Sequence, residues 1–131
     1  MGIVVRILLD THALLWWWKT EEQLSTEARK AMESDSNTIV ISAAVAWEIA
    51  IKTKTGRIHF EAALARWNEL IAEDHFTELP ISSDHGIWAG QLPLHHRDPF
   101  DRVLAAQAQV TGWPIISADR VFDYYGVRRI W

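Results

Sequence analysis

The chain contains no cysteine. Disulfides, zinc–thiolate sites and thiol catalysis are therefore excluded, and any metal must be held by oxygen or imidazole. Acidic oxygen donors favour Mg²⁺ or Mn²⁺. The same absence suits a reducing compartment, and a cytoplasmic location is expected. Long apolar runs are also missing. The first run, residues 3–9, spans only about seven residues, and Arg6 interrupts it; a membrane-spanning helix needs ~20. Neither a signal peptide nor a membrane anchor is expected. There is no surplus of positive charge: 13 Lys and Arg stand against 17 Asp and Glu, for a net charge of −4. That balance is wrong for a passive nucleic-acid binder. It suits an enzyme whose acids are masked by a metal or a basic partner, and equally an ordinary acidic protein. Low-complexity tracts, internal repeats and linkers are absent as well, so residues 1–131 are expected to form a single domain.

What is present is a large apolar fraction, 49%, and eight tryptophans. Trp16, Trp17 and Trp18 are consecutive. On a helix they sweep about 200°, too wide for one core-facing stripe. At least one is expected to face a partner chain or a groove, unless a neighbouring loop half-covers it.

The apolar pattern alternates strand and helix. Short aliphatic runs predict strands over 3–9, 38–41, 76–79, 114–117 and 127–130. Helices are predicted over 11–18, 25–34, 42–54, 61–73, 82–90, 98–111 and 119–124. Ser25, Ser42 and Asp98 serve as caps, Pro99 sits in a first turn, and Gly56 and Gly112 end helices. Repeated βα units predict an α/β fold: three layers, with about five mostly parallel strands and helices on both faces.

Functional groups in such sheets gather at the carboxyl ends of strands. Two predicted strands stop on an acid there, Asp10 and Asp119. Either can instead be a turn or cap residue. Glu48 is the only charged residue in Ala43–Ile51. A carboxylate buried in so apolar a stretch needs a cation or hydrogen-bond partner; the competing reading is a surface ion pair with Lys52 one turn on. Asp98 fits a helix cap. Asp101, three residues later, fits either a capping box or a metal ligand. Ser117 is placed to neighbour a metal-bound water. Acids from separate segments can bind one or two divalent ions, which lower the pKa of water and stabilise charge on a phosphate. Lys52, Lys54, Arg57, Arg97 and Arg102 lie near these acids in sequence and can hold a phosphate backbone, or be ordinary surface charges. His95 and His96 read as solvated loop residues, because adjacent side chains rarely converge on one ion.

Four stretches carry a resemblance: Leu8–Trp16, Ser42–Lys52, His96–Ala108 and Ile116–Phe122. In that order and at that spacing, they resemble PIN-domain proteins, and within that superfamily the VapC-type toxin ribonucleases of type II toxin–antitoxin pairs. The resemblance implies a parallel sheet of about five strands and a magnesium-dependent endoribonuclease acting on RNA. It further implies an acidic quartet, which falls on Asp10, Glu48, Asp101 and Asp119. The third position rests on Leu104-Ala105-Ala106, which is similar to the isoleucine–alanine–alanine that follows the acid in the family. Asp98 is an extra acid that can share or relay the role. The resemblance also implies a homodimer and inhibition by a cognate antitoxin, whose tail enters the acidic groove. Asp10, Glu48 and Asp101 would then lie nearest the metal, with Asp119 holding a water or second ion. Two other readings remain: a catalytically silent PIN-like module that binds a basic peptide, and a phosphotransfer domain with Asp10 as nucleophile. The second is disfavoured because His12 stands where that chemistry wants another acid.

Overall fold

The computed structural model describes residues 5–95 and 98–131. The predicted start of the first strand, and His96 and Arg97, lie outside them. In chain order the elements are β1 (Val5–Leu9), α1 (Thr11–Lys19), a 3₁₀ turn (Glu21–Gln23), α2 (Thr26–Glu33), β2 (Asn37–Ser42), α3 (Ala43–Lys54), α4 (Glu61–Ala65), α5 (Trp67–Glu73), β3 (Thr77–Leu79), α6 (Ser83–Gln91), α7 (Pro99–Thr111), β4 (Ile115–Ile116), α8 (Val121–Tyr124) and β5 (Arg129–Ile130).

The strands form one sheet in the order β3-β2-β1-β4-β5, and every pairing is parallel. Covered on both faces, the central strands bury consecutive side chains, as a parallel sheet requires. Leu8 and Leu9 of β1 and Ile115 and Ile116 of β4 are fully buried and paired in register. Val45 and Ile49 of α3 and Leu104 of α7 pack into the same core. Alanines at 105, 106 and 108 are buried on α7, and such small residues allow close approach of the helix.

The order reverses at β1: the chain leaves it for β2 on one side and later returns to β4 on the other. A crevice outside the strand ends is the geometric result of such a reversal. Backbone bonds carry the pairing just past the strands. Asp10 N–H donates to Ile116 O at 3.2 Å, and Ser117 N–H donates to Ile130 O at 3.2 Å. Asp10 and Ser117 are therefore fixed at adjacent positions on the rim of that crevice.

Several elements differ from the sequence expectation. The helix predicted over 61–73 is two helices, broken at Arg66. The break sets the Trp67 ring edge-on to Trp18, with centroids 5.5 Å apart, and lets Trp67 Nε1 donate to Glu78 of β3 at 2.8 Å. The last two strands are trimmed to two residues each, the positions in register across them. The final helix starts only at Val121, two residues past Asp119, whose Oδ1 accepts from Val121 N–H at 2.9 Å in the turn before the helix. All three consecutive tryptophans are half-buried. Trp16 stacks between His12 and Trp131. Trp18 lines a groove of about 420 Å³ together with Phe60 and Leu70.

Candidate functional site

Asp10 is the residue at which β1 becomes α1. Its Oδ1 accepts from Ala13 N–H at 2.8 Å, capping α1. Its Oδ2 accepts from the Ser117 hydroxyl. The carboxyl is only 6% exposed, and burial pushes its pKa up to about 6. The hydrogen bonds from Ser117 and Ala13 oppose that rise, as does His12, while Asp119 adds to it.

Ser117 is fully buried at the end of β4. Its oxygen also accepts from Asp119 N–H at 3.0 Å, so one hydroxyl ties the β4 turn to the end of β1. Asp119 itself is exposed, and its Oδ1 accepts from Val121 N–H at the start of the short helix that follows.

Glu48 arrives from α3, whose N-terminus is set by Ser42 at the end of β2: Ala44 N–H donates to Ser42 Oγ at 3.1 Å. Only 3% of Glu48 is exposed. Both of its oxygens are engaged. The Thr11 hydroxyl donates to Oε1 at 2.6 Å, and Lys52 Nζ donates to Oε2 at 2.5 Å. The pair with Lys52 exists, as the surface reading had it, but its carboxylate is buried rather than solvated. A buried pair of this kind cannot lose one partner cheaply. Thr11 is the residue that sequence reasoning did not connect to the site; its one signal was its place beside Asp10 at a strand end.

Asp101 lies in the first turn of α7, which packs on α3. Burial first, and then the charges of Asp98, Glu48, Asp10 and Asp119 in that order, together push its carboxyl from the ordinary 3.8 to about 8. All four other acids act on Asp101, so the five form one electrostatic neighbourhood drawn from four separate segments. Asp98 caps α7, accepting from Phe100 N–H at 2.9 Å.

Of the cations named from sequence, Lys52 sits on Glu48. Arg57 is exposed and shares a groove with Lys52. Arg102 follows Asp101 and has its Nε buried without a hydrogen-bond partner among the described residues. Arg97 lies outside the described residues.

The donors are all carboxylate and hydroxyl oxygen, the chemistry a hard divalent cation takes. The mutual repulsion that raises Asp101 is what such a cation would relieve. Among the described residues, no three acidic or histidine side chains stand close enough to hold one ion together, because Asp10 and Glu48 are turned to protein partners. Mg²⁺ commonly keeps several waters and takes only one or two carboxylates directly, so the donor set fits a largely hydrated ion.

The sequence matches the PIN domain family over residues 7–127. It is 32% identical over 116 residues to ribonuclease VapC22 of Mycobacterium tuberculosis, spanning 87% of each chain. Similar folds occur in the VapBC2 complex of Rickettsia felis bound to a promoter DNA fragment (TM-score 0.71, 12% identity, 97% of this chain and 100% of that one). They occur also in VapBC-1 of nontypeable Haemophilus influenzae (TM-score 0.65, 17% identity, 95% and 96%). The Klebsiella pneumoniae toxin–antitoxin complex is a third (TM-score 0.62, 20% identity, 87% of each chain).

Proposed function

This chain belongs to the PIN-domain family, and from that premise we propose that it is a VapC-like endoribonuclease toxin, held in check by a cognate antitoxin protein. The observation that carries the reading is that Asp10, Glu48 and Asp119, drawn from three other segments, each act on the charge of Asp101, with Asp10 on the rim of the crevice where the sheet order reverses. Kinship with a ribonuclease over 87% of the chain supports RNA as the substrate. We assign those four acids the catalytic and metal-binding roles, with Asp98 as a further contributor, and Mg²⁺ (or Mn²⁺) as the ion. When bound, the ion supplies charge neutralisation at the phosphate and a water of lowered pKa.

The chain's own residues have distinct tasks in this scheme. Ser117 fixes the rotamer of Asp10 and passes the constraint to the Asp119 turn. Thr11 and Lys52 hold both oxygens of Glu48 in place. Asp101, its pKa raised to about 8, holds a proton at neutral pH that a bound cation would displace. In the reaction, oxygen from water bonds to phosphorus, the bond from phosphorus to a ribose oxygen breaks, and that oxygen takes a proton. Lys52, Arg57 and Arg102 are assigned to RNA phosphates, as is Arg97, on its place in the sequence alone.

The single domain spanning 1–131 is cytoplasmic and homodimeric in this reading. No helix among the described residues is long and apolar enough to cross a membrane. The ammonium of Lys52 on Glu48 supports the mode of inhibition: an antitoxin Arg or Lys seated among the same acids, where a guanidinium can bind carboxylates bidentately.

The test is cleavage of labelled RNA by purified protein freed of its partner, titrated with Mg²⁺ and Mn²⁺. Wild type should cleave only with metal. Asp10→Asn, nearly isosteric, should lose cleavage while circular dichroism stays unchanged. Full activity of folded Asp10→Asn refutes the assignment.

A further inference from the structure

Glu48 and Asp101 are each preceded by an aromatic residue, Trp47 on α3 and Phe100 on α7. Successive helical side chains diverge by about 100°, so the two aromatics flank the acids. Their rings meet edge to face, with centroids 5.0 Å apart and planes at 83°. The contact leaves Trp47 55% exposed, and Ile51 one turn on is 40% exposed. Core packing does not account for so large a ring left open beside a buried carboxylate.

A groove of about 450 Å³ continues from this pair. Ile51, Lys52, Thr55 and Arg57 form one wall, and Pro99 and Phe100 the other. Asp98 also lines it, with one oxygen committed to capping α7. The groove joins the acid cluster directly, because Lys52 belongs to both. In a chain of net charge −4, Arg57 and the Glu48-bound Lys52 on one wall, with the open ring of Trp47 against Phe100 of the other, form a distinct chemical signature. Cations track a phosphate backbone, and an indole face takes an unstacked base.

We infer that this groove holds a single-stranded RNA segment next to the cleaved phosphate, with one base stacked on Trp47 and the adjoining phosphate on Arg57. The inference rests on the ribonuclease reading. A duplex keeps its base faces covered and cannot use the ring. A protein segment is the alternative occupant; continuity with the acids favours the molecule on which those acids act.

The experiment uses the full chain, Mg²⁺ and a fluorescein-labelled single-stranded RNA that wild type cleaves. A companion series carries one abasic nucleotide walked along both sides of the cleavage position. Trp47→Leu keeps an apolar side chain against Phe100 but removes the π face. It should raise KM by roughly 5- to 150-fold, the range for losing one base–aromatic stack, with kcat falling far less. Trp47→Phe should recover most of the loss. An abasic nucleotide at one position should cost wild type a similar factor and cost Trp47→Leu nothing more. Thermal unfolding of Trp47→Leu establishes that it is folded. Wild-type KM in folded Trp47→Leu overturns the inference, as do equal abasic losses in both proteins at every position. So does a variant that keeps its KM for RNA but loses antitoxin binding or changes oligomeric state, since the groove then belongs to a protein. Absence of cleavage by wild type under all metals overturns the ribonuclease reading itself, whereas cleavage with an unmoved KM overturns only the stacking site.

Discussion

Metal binding by this protein should be paid in protons, and the number can be worked out. Asp101 has a carboxyl pKa of about 8, and Asp10 one of about 6. At pH 7, Asp101 therefore carries a proton in roughly nine of ten molecules and Asp10 in roughly one of ten. A divalent cation needs both ionised, so its binding should release about one proton per ion at pH 7. Between pH 6 and pH 8 the ionised fraction of Asp101 rises about 50-fold and that of Asp10 about twofold. The apparent affinity should rise about 100-fold, or about 3 kcal/mol. Isothermal titration of Mn²⁺ into metal-free protein at pH 6, 7 and 8, repeated in buffers of different ionisation enthalpy, measures both quantities. Asp101→Asn should bind more weakly and release almost nothing at pH 7. A flat affinity across the range, with no proton release from wild type, would refute the electrostatic account of the cluster.

The same shifts predict an acid-favoured fold without metal. Both folded-state pKa values exceed the ordinary 3.8, so the folded chain holds more protons than the unfolded chain between about pH 4 and pH 8, and stability falls as pH rises through that window. Urea unfolding in chelator should show this fall for wild type, and Asp101→Asn should be the more stable protein at pH 8; a stability that rises towards pH 8 contradicts it. Asp98→Ala should cost ~0.5–2 kcal/mol through loss of the α7 cap, whereas Asp98→Asn, which still caps, should keep the fold and far more RNA cleavage than Asp101→Asn. If Asp98→Asn is as inactive as Asp101→Asn, the third acidic position is shared by both residues.

The readability of this chain followed how locally each feature is encoded. A short aliphatic run ending on Asp10 signals both a central strand and its functional end, and Ser42 and Asp98 announce their helices within three residues. The break at Arg66 was not legible, because it depends on Trp67 meeting Trp18 and Glu78, which are distant in sequence. The short extent of β4 and β5 depends on which backbone groups find a partner at the sheet margin, which apolar runs do not encode. Glu48 was conspicuous as a lone charge in an apolar helix, and Lys52 lay within reach of a helical rule. Thr11, 37 residues away, was beyond any such rule, and so was the meeting of Trp47 with Phe100.

The hydroxyl of Ser117 reaches Asp10 across 107 residues of sequence. β1 is central in the finished sheet, yet one of its edges stays open until β4, far along the chain, has been made. Until then Asp10 has neither Ser117 to orient it nor Ile116 O to receive its N–H, and the Asp119 turn does not exist. The acids can assemble only in a chain that has made β4 and closed its sheet on β1. Strand order thus acts as a timer, delaying the cleft until both flanks of β1 are paired.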